Sequence, residues 1–335
     1  MHIGTSYKLT EFLVWTRRSV YVLIPLGVIP VVLYENFGFK WLNVPWPVIA
    51  LLGTATAFIV GFKNTQTYNR AVEAHSVWTT ISGLTRCWGL ISREFLSDPV
   101  LTKDLIYRHL AWLTSLRYEM RSHRAWETVN KKHNSEYQKY YAIPERQITL
   151  SIELAKYLSE PELKCVLLSE NKPTKIMSLQ SKMLKRFCDN QQLGLYQFID
   201  MERNIKDLLV QQARSEQIKD VPYPRQYAVI NTLFVWIFCF LLPFGMLKEF
   251  DELNEVVTGL MAGNMVWLVV PFSAVICWMY TSLEQVGEST ENPFEGNAND
   301  VPISKMCRTM EIELRELLGE SDLPPKLKAQ NDIIL

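Results

Sequence analysis

Charged residues are spread unevenly along the 335-residue chain, and the gaps between them form its strongest pattern. Residues 19–34, 41–62, 226–247 and 256–283 contain no Asp, Glu, Lys or Arg. A helix needs about 20 mostly apolar residues to cross the hydrocarbon core of a bilayer. Three of the gaps reach that length. The first is shorter, but Phe12–Trp15 can extend it while Arg17 and Arg18 snorkel to the interface. The competing reading is a large soluble protein with very apolar buried helices. Pro and Gly inside the runs favour membrane helices over that reading. The first run starts late and no small-residue cleavage site follows it, so it reads as a retained span rather than a signal peptide.

The runs form two pairs. A short turn, 35–40, joins the first two; the last two are joined by 248–255, which has one Lys against four acids. Between the pairs, residues 63–225 carry 25 Lys+Arg against 18 Asp+Glu, an excess of seven. Residues 1–18 add three basic residues and one acid. The positive-inside rule then puts the N-terminus, the middle region and the C-terminal tail in the cytosol. The predicted organisation is all-α. An N-terminal segment and first transmembrane pair (1–62) precede a helical cytosolic region (63–225). A second transmembrane pair (226–283) and a cytosolic tail (284–335) follow. The expected location is the cell's inner membrane, crossed several times, with the lipid bilayer itself as a partner.

Within the middle region, Leu105, Leu110, Leu113 and Leu116 recur at roughly helical spacing, and residues 174–219 continue in that manner. Residues 127–147 are polar and Tyr-rich and read as a loop or frayed connection. PYPRQ (222–226) predicts the end of the cytosolic helices, because Pro stops a helix.

Across the whole chain Lys+Arg and Asp+Glu are each 35, so the formal charge is zero, which excludes a general nucleic-acid binder. Six cysteines stand alone without a C-x-x-C pair, so no disulfide or zinc framework is predicted. The five histidines have no metal-ligand spacing, and no nucleophile-elbow, zincin, P-loop or dinucleotide-binding motif occurs, so no enzyme is predicted.

The second span carries the most chemical information. Gly53, Ala57 and Gly61 form a small-residue face that lets helices approach closely in lipid. Thr54, Phe58 and Phe62 form the adjacent stripe, about 100° round the helix. One face could pack while its neighbour points into a narrow apolar collar; the same spacing also fits both stripes packing against other spans. No span contains an ionisable acid, Lys, Arg or His. Coupled transporters usually carry such groups, whereas hydrophobic rings can gate a passive pore by dewetting. Four spans rarely enclose a wide pore, but a ring of subunits does.

Three segments resemble the bestrophin family of ion channels and their bacterial relatives: GFKNTQTYNRAVEAHSVW (61–78), LLPFGML (241–247) and ENPFEGNANDVPISKMCRTMEIELRELLGE (291–320). The resemblance implies a homopentamer around one axial pore for small inorganic ions, with the second span lining a hydrophobic neck at Thr54, Phe58 and Phe62. Thr54 departs from the family's three bulky apolar residues, so the outermost ring is expected to be wetter. A second cytosolic constriction is implied near Leu193–Phe198. Animal members carry a calcium clasp after N-P-F. Here Asn292 matches, Asn297 stands where an acid is expected, and Asp300 keeps a second acid. The run is poor in acids for Ca2+, so no cofactor is expected, and a turn with Asp300 as helix cap is the competing reading.

Anions, chiefly chloride, are the expected cargo. The positive edges of Phe58 and Phe62 and the basic middle region favour them. The acidic outer loop, and a tail (284–335) with five basic and eleven acidic residues, favour cations such as sodium. Two further readings stay open. A secondary transporter could have spans broken at Pro25, Pro30, Pro243 and Pro271; a membrane scaffold would not conduct at all. His75 reads as polar packing or a proton sensor, and Arg70 with Glu73 as a pair at the membrane junction or as solvated surface.

Overall fold

The computed structural model describes every residue except Val129 and Asn130, inside the predicted connection 127–147, and Leu260, inside the predicted span 256–283; these three lie outside the described residues. The described residues form helices and turns, with no strand beyond two isolated bridges near the termini. Four helices are long and apolar enough to cross a membrane.

α1 (Leu9–Glu35) runs unbroken through Pro25 and Pro30. α2 (Trp46–Phe95) is one helix of 50 residues, about 75 Å long at 1.5 Å per residue. It begins after Pro45, which cannot continue a helix backwards but suits its start. The boundary at 62/63 therefore falls inside a continuous helix. α3 (Pro99–Arg121) returns along it, started by the Asp98 side chain accepting from the Val100 N–H at 2.8 Å. The Tyr-rich connection holds the short α4 (Lys132–Tyr137) and α5 (Pro144–Gln147). α6 (Leu150–Leu154) and α7 (Glu160–Leu167) lead to α8 (Lys172–Asp189) and α9 (Leu195–Asp220). The periodic stretch 174–219 is thus two helices, parted where Gln191 adopts a positive φ of 57°.

α10 (Arg225–Glu252) starts after Pro224, as PYPRQ predicts, and passes through Pro243 without a break. The fourth span departs from its charge-free run. α11 is Val269–Ser289, preceded by one 3-10 turn at Met265–Leu268. Gly259 and Gly263 take positive φ values of 103° and 74° and keep the start of that run non-helical. Its far end overshoots into Glu284 and Glu288, which are tolerated because Lys63 and Lys131 pair with them. α12 (Ile303–Leu317) lies against α2 and α3.

Two cores result. The membrane-side core packs Leu23, Val31, Ile49, Val60, Val235, Phe238 and Leu242. α1 and α10 lie against α11 there, and α10 against α2. Side chains of α2 and α10 seat on glycines of the facing helix. A Cβ on Gly53 would sit 2.8 Å from the Phe238 ring, and one on Gly245 would sit 2.4 Å from Ile49 Cγ1. The outward faces stay apolar and exposed, including Tyr21, Ile29, Val229, Leu233, Phe272 and Val275. Such a surface is unstable in water and natural in lipid. The second large core lies outside the apolar sections of the spans, with Trp78, Trp88, Trp112, Leu116 and Phe294 fully buried.

Buried charge ties the halves together just below the apolar section of α2. Lys63 is buried and lies 3.3 Å from Glu284, whose Oε1 also accepts from Thr232 Oγ1 at 2.8 Å. Arg70 does not meet Glu73. It donates to the Ile218 and Val221 carbonyls, while Glu73 faces Arg214 at 3.4 Å. Arg17 and Arg18 pair with Glu136 at 2.7 and 2.5 Å instead of standing free.

Breaking a buried pair from one side leaves a bare charge. Lys63→Met is therefore expected to cost ~3–5 kcal/mol, and adding Glu284→Leu to recover most of it; thermal unfolding of the three proteins in one detergent checks this. His109 offers a second test. It stacks on Trp88 at 5.8 Å, its Nε2 lies 3.0 Å from Thr85 Oγ1, and burial lowers its pKa from 6.5 to about 3. The unfolded chain binds a proton there below about pH 6.5 that the folded chain refuses, so stability falls as pH drops from 6.5 towards 3. His109→Gln keeps the Thr85 contact and is expected to lose less stability than the parent between pH 7 and 4.5.

Candidate functional site

α2 has two faces along its apolar section. Ile49, Gly53, Thr56, Val60, Lys63 and Thr67 are buried, at helical spacings of three and four. These contacts hold the helix in one rotation about its axis. Tyr280 adds a hydrogen bond from its hydroxyl to the Gly53 carbonyl at 3.2 Å. The opposite side then projects away from the rest of the chain.

Thr54, Phe58 and Phe62 all lie on that projecting side. Phe58 is 76% exposed and Phe62 50%. The Thr54 hydroxyl donates to the Ala50 carbonyl at 2.8 Å, so its polarity is spent on its own helix and its methyl group is left outward. The exposed face continues downward through Gln66, Asn69 and Glu73. It therefore changes from aromatic to polar below the level of the Lys63–Glu284 pair. His75 is exposed further along α2.

The small-residue face is corrected. Gly53 packs tightly, but Ala57 is exposed and nothing stands within 4 Å of a Cβ on Gly61. The physical cause is register. The packed stripe advances by alternating steps of four and three, the true helical period, whereas a strict i+4 series drifts round the helix and leaves the contact. Ala57 and Gly61 stand beside the Phe stripe instead.

Around the second expected constriction, Leu193 is buried and Phe198 packs against the core outside the spans. Leu195 and Tyr196 are strongly exposed at the start of α9. Only these two of the apolar side chains in 193–198 are free to line anything.

The turn between α11 and α12 gathers Asn292, Asn297 and Asp300, all buried. Spacing alone did not reveal Glu295 at its centre. Glu295 accepts from the Thr128 N–H at 2.8 Å and the Thr128 hydroxyl at 2.9 Å, with the Asn297 and Asn292 amide nitrogens also turned on it. Asp300 Oδ2 accepts from the Gly296 N–H at 2.6 Å and lies 3.4 Å from Arg121. Asp300 is therefore a turn-former and not the cap of α12, whose N-terminal flank is Pro302. Ca2+ takes six to eight oxygens. Here the carboxylate oxygens face N–H and O–H donors, and a guanidinium already neutralises Asp300. Among the described residues no group of three or more His, Cys, Asp or Glu could hold a metal ion. In this arrangement the Glu295 carboxylate and Asp300 Oδ2 are turned on donors of the protein itself, while Asp300 Oδ1 is left without a partner.

Comparison with known proteins follows this geometry closely. The family model described as bacterial/fungal bestrophin protein matches residues 15–316. The chain is 24% identical to the voltage-dependent anion channel-forming protein YneE of Escherichia coli K12, over 88% of this chain and 83% of that relative. It is also 24% identical to the voltage-dependent anion channel-forming protein mll4386 of Mesorhizobium japonicum, over 90% and 89% respectively. The crystal structure of a bacterial bestrophin homologue from Klebsiella pneumoniae superposes with a TM-score of 0.74 at 21% identity, covering 92% of this chain and 99% of that one. With four apolar spans in two pairs joined by a helical body, and a family match that covers nearly all of it, the chain belongs to the bacterial and fungal bestrophin family.

Proposed function

We propose that this chain is the subunit of a membrane anion channel, in which copies of α2 surround an axial pore and Thr54, Phe58 and Phe62 form its neck. The observation that carries the reading is the placement of these three residues. They project outward from a helix whose other side is locked by packing, in a section with no charged side chain. An exposed aromatic stripe suits a dewetting constriction when it is ringed by its own copies. Relatives along most of the chain are named as anion channel-forming proteins.

The subunits are read as a homopentamer, following the family resemblance, and the ion as chloride. The positive ring edges of Phe58 and Phe62 and the basic excess in 63–225 support an anion. A secondary transporter is disfavoured because α1 and α10 run straight through Pro25, Pro30 and Pro243. Leu195 and Tyr196 are read as the second constriction. The membrane is read as the inner membrane with both termini cytosolic. The antiparallel bridge His2–Ile333 and the 2.8 Å bond from Ile3 N–H to the Asp332 carbonyl support a common side for the two ends.

Single-channel recording in asymmetric NaCl tests the conduction. The reversal potential is expected to move toward the chloride potential; movement toward the sodium potential overturns the anion assignment. In the same bilayers, Phe58→Ala and Phe62→Ala should each raise conductance or open probability several-fold, because each ring is widened and wetted. Unchanged currents in both would assign the pore to another helix. Independently, the detergent-solubilised particle should have a protein mass of five times 38.9 kDa; a single copy would rule out a ring.

A further inference from the structure

A cavity of about 250 Å³ lies between the start of α1, the 134–141 segment and the end of α11. It contains no residue of α2 and is separate from the neck. Its walls include five aromatic side chains, Tyr7, Phe12, Trp15, Tyr137 and Tyr141, and one charged group, Glu11. The polar tips of the aromatics are fastened to the protein. Tyr7 Oη donates to Asn299 Oδ1 at 3.0 Å, and Tyr141 Oη to the Gly296 carbonyl at 3.0 Å. Trp15 Nε1 donates to Asn134 Oδ1 at 3.4 Å. Tyr137 Oη donates to Glu11 Oε2 at 3.0 Å. The ring bodies are thereby held as lining.

Glu11 keeps acceptor capacity. Besides Tyr137, its contacts are the Asn331 amide at 3.5 Å and Lys8 at 3.5 Å, the latter with a side chain 63% exposed. An ionised carboxylate offers about four acceptor sites, and the solvated Lys8 pair, a weak surface salt bridge, takes up one of them. Aromatic side chains around one carboxylate favour a cation that is weakly hydrated and carries C–H or N–H groups, because a ring that meets it face-on attracts it through its quadrupole and the carboxylate neutralises it. The volume falls below the ~300 Å³ at which pockets for drug-sized ligands begin, so it suits a small group. The cavity also sits where the first span leaves the apolar section, beside the interfacial residues Phe12 and Trp15.

We propose that this cavity binds an organic ammonium group, either on a small soluble amine or on a lipid headgroup at the cytosolic membrane surface. The test uses the full-length protein in phosphatidylglycerol nanodiscs, titrated calorimetrically with choline chloride, ethanolamine chloride and, as control, sodium chloride at matched ionic strength. Saturable binding of choline or ethanolamine, absent with sodium, is expected, weakened on the order of tenfold by Glu11→Gln and several-fold by Trp15→Phe. Native mass spectrometry of protein extracted from mixed phosphatidylethanolamine, phosphatidylcholine and phosphatidylglycerol vesicles separates the sources. Selective retention of a zwitterionic lipid, lost in Glu11→Gln, assigns the headgroup; amine heat without such retention assigns the soluble amine. Neither signal, or a Glu11→Gln protein of unchanged melting temperature that binds as the parent does, overturns the proposal. Should Glu11→Gln fail to fold, an unchanged affinity in Trp15→Phe overturns it equally. These readouts do not depend on conduction, so they stand or fall apart from the channel reading.

Discussion

One helix passes from lipid into water without interruption, and a buried ion pair sits near the level where its surroundings change. Above Lys63, α2 presents only uncharged side chains; below it, α2 enters a helical body with its own core. Lys63 cannot be left bare at that depth, and Glu284 from the last span reaches it. That constraint fixes the height of α2 against α10 and α11. With the Gly53–Phe238 contact it also fixes the rotation of the helix, and so decides which side chains project.

The two close approaches along α2 serve the same end. Gly53 meets the Phe238 ring and Gly245 meets the Ile49 side chain, so at two heights a large side chain of one helix seats on a bare glycine of the other. In lipid there is little hydrophobic drive to press helices together, and such close packing supplies the attraction instead. A helix pinned this firmly can present an exposed aromatic stripe without rolling to bury it.

Outside the spans, packing is governed by a different economy. The 291–301 turn is largely buried; Glu295 is held by Thr128 and Asn297, and Asp300 by the Gly296 N–H and Arg121 through one of its two oxygens. Arg121 reaches Glu145 as well, at 3.6 Å, and Arg117 holds the same glutamate at 3.1 Å. This network joins the tail to α3 through charges that have little other solvation. It explains why a segment with the family's N-P-F signature can be closed by side chains of its own chain.

By itself, the sequence determined the number of spans, their pairing and the all-α class. These follow from the cost of charge in hydrocarbon, which is a property of each residue in its run. It also singled out Thr54, Phe58 and Phe62, because period and residue type are local. Only the tertiary structure decided the rest. The strict series Gly53, Ala57, Gly61 looked like a packing face, yet the contact with α10 and α11 follows 49, 53, 56, 60 and 63. The fourth span lost its first residues to glycine turns that a charge count does not register. Thr128 meets Glu295 and Arg121 meets Asp300 across long sequence separations, as do Lys63 with Glu284 and Glu11 with Tyr137. Partnerships of that kind arise when separate helices dock, and no spacing along the chain encodes them.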